Sequence, residues 1–334
     1  EIRLSLVGSE MCIRDRAYSF IRNHFDSKKA LGISFFTALL FAIHPVQVET
    51  VCWISASKIV LSTFFYLSAL ICYIQYMRNS KWQYLLASVV SSILAMGCKE
   101  QSVIIVPCLL LFDWMLFKRN MRSLKVYIEK VYYLIPAIAI FIVTLVANKN
   151  TGEEIIGYTI VDRFIFLCYS SFKYLLISAI PFKLSYLYPF PFQVGEKIPM
   201  ALWIYPFVIL FIGYVIYLNR RKPLLVFCTL FFILHLLPVL HVIPLPRYVV
   251  AADRYLYIPY IAFAIGLSIL SYHLYERQRK WILYAGFLYC SYLCVYTAGY
   301  APAWKNSDTL KEHFKEVLKK RETNLSINFK HEKQ

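Results

Sequence analysis

The chain has 334 residues, of which 59% are hydrophobic, 17% aromatic and only 16% charged, with a formal net charge of +17 at pH 7. Ordinary soluble domains are about 45–50% apolar, so this composition excludes a water-soluble globule and points to one helical membrane domain. It also excludes nucleic acid as the reason for the charge, because the bases stand in short clusters between apolar runs and not along one face with interleaved aromatics.

From the N-terminus, residues 1–16 are charged and lack the continuous apolar core of a signal peptide. Ser5-Leu-Val-Gly-Ser-Glu-Met-Cys-Ile-Arg-Asp-Arg16 resembles an adaptor-derived string, so native sequence is expected to begin near Ala17. A spanning helix needs about 20 mostly apolar residues. Candidate runs follow at residues 30–43, 59–77, 83–98, 102–117, 131–147, 164–182, 200–218, 224–240, 257–272 and 281–299. Residues 17–299 are thus expected to form an all-α, polytopic transmembrane bundle, with residues 300–334 as a non-cytoplasmic tail. Most of the nine cysteines lie in apolar runs and read as small buried hydrophobes.

Four loops are basic, at residues 78–81, 118–130, 220–222 and 277–280, and the positive-inside rule puts them in the cytoplasm. Simple alternation fails once, at residues 164–182, which hold Lys173 near the middle and Pro181 near the end. A charge at the bilayer midplane costs at least about 2.5 kcal/mol, so this run reads as re-entrant or interfacial, leaving about nine crossings. The other reading is a true helix with Lys173 turned into the bundle.

With that topology, residues 44–58, Lys99-Glu100, residues 183–199, residues 241–254 and the tail share the non-cytoplasmic face. Glu49 is suited to act as a base or to orient an acceptor, His44 to share its proton, and Lys58 to neutralise a phosphate. Ordinary interfacial charges explain this loop equally well. Lys99 and Glu100 are adjacent and point in different directions on a helix, so separate partners are expected, a lipid phosphate for Lys99; the alternative is that they pair with each other. Arg254, with its planar fork of donors, is the leading phosphate ligand, held by Asp253 at a helix N-terminus that favours anions. A structural cap between the two is the plainer reading.

Ser185-Tyr-Leu-Tyr188-Pro-Phe-Pro-Phe192 fits an interfacial aromatic belt, and Asp113, Trp114 and His235 read as structural. In the tail, Leu310, Phe314, Val317 and Leu318 share a helical face, and Asn324-Leu-Ser326 matches a glycosylation sequon to which no weight attaches.

Five segments in this order, His44-Pro-Val-Gln-Val-Glu49-Thr-Val, Cys98-Lys-Glu100-Gln, Tyr188-Pro-Phe-Pro, Ala252-Asp-Arg-Tyr-Leu-Tyr-Ile-Pro259 and Trp304-Lys-Asn-Ser-Asp-Thr-Leu310, carry a resemblance. Over residues 30–314 the chain resembles the transmembrane, tetratricopeptide-repeat-containing O-mannosyltransferases and their bacterial relatives, of the GT-C superfamily. The resemblance implies a GT-C-like bundle that performs an inverting transfer of a sugar, such as mannose, from a polyprenyl-phosphate carrier to a protein or glycan acceptor. It places the reaction on the lumenal or periplasmic face of an endoplasmic reticulum or bacterial inner membrane. Beyond that lipid-linked sugar donor it implies no cofactor, and it leaves a divalent metal neither required nor excluded.

The resemblance further implies an acidic motif in a first external loop before the first helix, and helical repeats after Trp304. On that basis the chain is a fragment expected to be inactive alone, with Glu49 an auxiliary group. Two departures bear on His44 and Lys58: Gln47 stands where relatives often carry a second His, and Ala56-Ser57-Lys58-Ile59 where they carry Gly-Arg-Lys-Asp. A transporter or flippase of lipid-linked sugars, and a non-catalytic membrane anchor for a repeat scaffold, are the rival readings.

Overall fold

A computed structural model of the chain describes residues 26–149, 158–185, 188–192, 194–241, 249–306 and 308–312. The string at residues 1–16 and the tail beyond residue 312, with most of its helical rhythm and its sequon, lie outside them. The described residues form helices joined by loops, with no strand among them and one antiparallel bridge between Tyr188 and Ala251.

Each apolar run becomes a helix. They are α1 (Ser27–Ile43), α3 (Ser57–Asn79), α4 (Trp82–Cys98), α5 (Ile105–Met115), α6 (Leu124–Lys149), α7 (Ile160–Ala179), α8 (Ile204–Leu218), α9 (Pro223–Leu236), α10 (Pro259–Arg277) and α11 (Arg279–Tyr300), with a short α2 (Val48–Cys52) between the first two. The ends follow local chemistry. Pro45 bars the α conformation at His44, which is extended at φ −74° and ψ 126° and ends α1; Pro223 and Pro259 stand in the first turns of α9 and α10, where no N–H is required.

The largest departure from the apolar pattern is α6, which starts at Leu124 inside what reads as a basic loop. Tertiary pairing explains it. Glu129 and Lys130 are buried, Arg119 grips Glu129 with two bonds of 2.5 and 3.2 Å, and Lys130 Nζ lies 2.6 Å from Asp113 Oδ2. Tyr73 donates to the other Asp113 oxygen at 2.6 Å. Two acids and two bases thus neutralise one another, which lets the helix run through residues that hydropathy alone assigns to water.

Helices α3 and α4 form an antiparallel hairpin, pinned by Ser62 donating to the Ala95 carbonyl at 2.9 Å and Ser88 to the Ala69 carbonyl at 2.7 Å. Helix α10 sits between α1, α9 and α11, and Thr37 on α1 donates to Ser268 on α10 at 3.1 Å. Small hydroxylated residues at such contacts are how helices approach closely where no water drives them together.

Helix α7 dips beside α11 and the chain then climbs back. Tyr289 donates to the Ala179 carbonyl at 2.8 Å, Tyr292 donates to the Pro181 carbonyl, and the Leu184 N–H donates to the Tyr296 hydroxyl at 3.0 Å. From Tyr289 to Tyr296 a helix rises about 10 Å, so the returning strand ascends α11 by that much. The start of α7 lies beside the end of that strand, where Tyr158 donates to the Phe192 carbonyl at 3.1 Å and the Phe166 and Phe192 rings are 4.9 Å apart. Both ends of the segment are on one side, so α7 and its return form an arm beside α11.

Among the described residues four stretches, Ile54–Asn79, Leu124–Thr144, Met200–Leu218 and Arg279–Trp304, are long and apolar enough to cross a bilayer; α1 with Pro45–Cys52 adds a fifth if their 55° bend lies within one broken span. The exterior is apolar where it would meet lipid, as at Phe207 and Leu210 on α8 and Phe287 and Val295 on α11. Such a surface fits a membrane protein.

Candidate functional site

At the end of the bundle where α1 finishes and α10 begins, two tight turns face one another. One is Pro45–Gln47 running into α2, and the other is Asp253–Leu256. The second was expected to be the first turn of a long helix; it is a 3-10 turn, and α10 begins only at Pro259. Its N–H groups therefore do not form the anion site of a long helix N-terminus.

The centre of the site is Glu49, which is fully buried. Its Oε2 accepts the Arg254 backbone N–H at 2.8 Å and its Oε1 accepts the Arg254 guanidinium at 2.6 Å. Burial pushes the Glu49 carboxyl above the ordinary range, and the Arg254 charge opposes that shift. The guanidinium carbon lies 5.5 Å from the Trp53 ring and 5.1 Å from the Tyr255 ring, so the fork is boxed by aromatics while part of it stays open to the outside.

Asp253 does not hold Arg254, as the sequence suggested. It is buried and accepts the Tyr188 hydroxyl on Oδ1 at 2.8 Å, while its Oδ2 has no hydrogen-bond partner among the described residues. The reason is geometric: adjacent residues of a tight turn diverge, and Arg254 turns to α2 while Asp253 turns to the arm. There, Lys173 Nζ stands 3.9 Å from the centre of the Tyr188 ring. The apparent midplane charge is thus a cation laid on the face of the tyrosine that bonds Asp253, an attraction the ring's quadrupole supplies.

Burial first, and the neighbouring Glu49 charge second, drive the Asp253 pKa well up, against the Tyr188 hydroxyl, Lys173 and Arg254. A carboxyl whose folded pKa is raised keeps its proton in a window above the ordinary value of about 3.9, where the unfolded chain has released it. Unfolding there releases a proton, so stability falls as pH rises through the window. Thermal unfolding in detergent at about pH 5 and pH 8 should lose this slope in part in Asp253→Asn; an unaltered slope would refute the assignment.

His44 is buried and caps the first turn, its Nδ1 accepting the Val46 N–H at 3.3 Å, with its ring 4.3 Å from that of Tyr260. Burial pulls its pKa down to about 3, against the pull of the Ser178 carbonyl. It is neutral at physiological pH and, among the described residues, makes no hydrogen bond with Glu49, so the expected sharing of a proton has no geometric counterpart.

Lys99 and Glu100 pair with each other, contrary to the expectation of separate partners. The strand-like backbone at Lys99, φ −151° and ψ 121°, removes the helical divergence on which that expectation rested. Burial works to raise the Glu100 pKa, and Lys99, helped by Lys58, more than offsets it. Lys58 itself is exposed at the start of α3. Lys99 and Arg254 line one cavity of about 30 Å³, together with Ser62, Thr63, Ser102 and His235, room for about one water molecule. His235 is held at both ring nitrogens, by the Phe231 carbonyl and the Tyr66 hydroxyl, each at 2.8 Å.

Tyr188 and Lys173 are the members of the site that pattern reading missed. Only the cost of Lys173 in an apolar run signalled it, and nothing in the sequence named its partner. Among the described residues no group of His, Cys, Asp and Glu is arranged to hold a metal ion. In comparisons with protein-family models, with curated proteins and with solved structures, none matches this chain.

Proposed function

We propose that the protein crosses the membrane nine times, with α7 as a re-entrant arm and the basic loops in the cytoplasm, and transfers a sugar from a polyprenyl-phosphate carrier to a protein or glycan acceptor. The observation that carries this reading is that Arg254 and Lys99, 155 residues apart in the chain, both line one small cavity beside a buried carboxylate. Two cations at a membrane surface match a lipid phosphate, and Glu49 fixes the guanidinium so that its remaining N–H groups are presented outward. The fold and activity are those of the GT-C resemblance, in a bacterial inner membrane or the endoplasmic reticulum, with the site on the non-cytoplasmic face.

In that reaction an acceptor hydroxyl oxygen attacks the anomeric carbon, and the bond from that carbon to the phosphate oxygen breaks with its electron pair leaving on the phosphate. Arg254 and Lys99 hold the charge that develops there, which is where preorganised donors lower a barrier most. The acceptor proton goes to a carboxylate, which the resemblance assigns to a loop before α1. Glu49 acts through Arg254 and is a positioning residue.

The test is glycosyl transfer from labelled polyprenyl-phosphate mannose by detergent-solubilised full-length protein. Arg254→Ala should lower transfer by about two orders of magnitude or more, on the scale of losing one oxyanion donor. Transfer that is equal in wild type and mutant would end the proposal. The re-entrant arm favours one rival, a transporter of the same lipid, since transporters use interrupted helices at their sites; movement of labelled lipid across liposomes without transfer of sugar would select it.

A further inference from the structure

On the opposite side of the bundle from Glu49, helices α1, α10 and α11 leave a groove of about 640 Å³, within the roughly 300–1,000 Å³ range of ligand sites. Its lining is almost wholly apolar, including Phe36, Leu267, Ile282 and Phe287, together with Gly32 and Gly286. In the proposed topology the groove lies between membrane-crossing helices, so water is not its natural filling. An acyl chain laid in a trench of this size gains dispersion contacts along its length.

The mouth is basic. Lys29 lies 5.6 Å from the ring of Tyr272 and 2.9 Å from Glu276, and the Arg279 guanidinium lies 5.5 Å from the ring of Tyr275, both tyrosines lining the groove. Lys28, Arg277 and Lys280 accompany them, all exposed, against the carboxylates of Glu276 and Asp26. Helix α11 starts at this mouth with Arg279 and Lys280 and has no acidic residue in its first turn. Cations there oppose the helix macrodipole, and a bound anion relieves that repulsion. The positive-inside rule accounts for basic residues at this end, but not for an apolar trench opening beneath them.

We infer that this groove binds one anionic phospholipid, its acyl chain between α1, α10 and α11 and its headgroup phosphate among Lys28, Arg277, Arg279 and Lys280. The site is separate from the one around Arg254 and does not depend on the transfer reaction. Its occupant is a bulk lipid of the basic leaflet and not the sugar carrier, whose phosphate meets Arg254 and Lys99 at the other face.

The experiment is native mass spectrometry of the purified protein, equilibrated with phosphatidylserine and phosphatidylcholine of the same chain length. One phosphatidylserine should be retained per protein, preferred by roughly thirtyfold or more on the scale of attraction of two or three basic residues for an anionic surface. Gly32→Leu with Gly286→Leu fills the trench: a Cβ at either glycine meets nothing within 4 Å, and leucine favours the helix more than glycine does, so the variant is expected to fold. It should lose the retained lipid. Arg279→Gln with Lys280→Gln should keep a lipid and lose the preference for phosphatidylserine. Undiminished retention by the filled variant, equal retention of both lipids by the wild type, or displacement of phosphatidylserine by an equal amount of polyprenyl phosphate would each overturn the proposal.

Discussion

Arg254→Ala is expected to destabilise the protein by about 3–5 kcal/mol, because it leaves the buried Glu49 carboxylate with no countercharge. The backbone N–H of Arg254 still reaches Glu49 Oε2, but one neutral donor does not replace a guanidinium at 2.6 Å from Oε1. Removing both charges separates structure from function: Glu49→Gln with Arg254→Met should recover most of the lost stability, since apolar replacements of buried pairs are often close to neutral. It should recover none of the proposed sugar transfer, because the outward donors are gone. Unfolding followed by intrinsic fluorescence in detergent measures the first quantity. A single Arg254→Ala variant as stable as wild type would mean that Glu49 accepts a proton without penalty and that the pair is not a fixed part of the site.

Lys130→Ala is expected to cost a similar amount, about 3–5 kcal/mol, through different groups at the other end of the bundle. Lys130 Nζ is 2.6 Å from Asp113 Oδ2 and donates to the Tyr73 hydroxyl at 2.5 Å, and Asp113 is fully buried. Without Lys130, Asp113 keeps the Tyr73 hydroxyl and a distant Arg119 at 3.5 Å. Asp113→Asn in the Lys130→Ala background should therefore restore stability that Asp113→Asn alone does not add. Such coupling, read as the non-additivity of the two changes, distinguishes a closed charge network from two separate surface pairs. Additive effects within about 0.5 kcal/mol would show that the two groups act independently.

Hydropathy and charge located the helices well because each rests on a local rule. An apolar run must be a helix in lipid, since every backbone group needs a partner within the segment, and the proline before α9 or α10 acts on its own neighbours. The clustering of Glu49, Lys99 and Arg254 at one end followed from alternation of the helices, an arithmetic of sequence order. Where α6 begins did not follow, because Glu129 and Lys130 read as solvated charges until Asp113 and Arg119 are placed beside them. Nor did the partner of Arg254: adjacency in sequence favoured Asp253, whereas the turn points the two side chains apart and brings in Glu49 from 205 positions away.

By itself, then, the sequence determined that the chain is an apolar helical membrane protein, where its helices lie, and that Lys173 needed a reason to be where it is. Only the tertiary structure decided how the charges pair. It set Lys173 on Tyr188, gave Glu49 to Arg254, left Asp253 to the Tyr188 hydroxyl, and turned Lys99 onto Glu100. The physical reason is that helix formation in lipid is settled within about 20 residues, while a buried charge is stable only when an opposite charge or a hydrogen-bond donor meets it from across the fold.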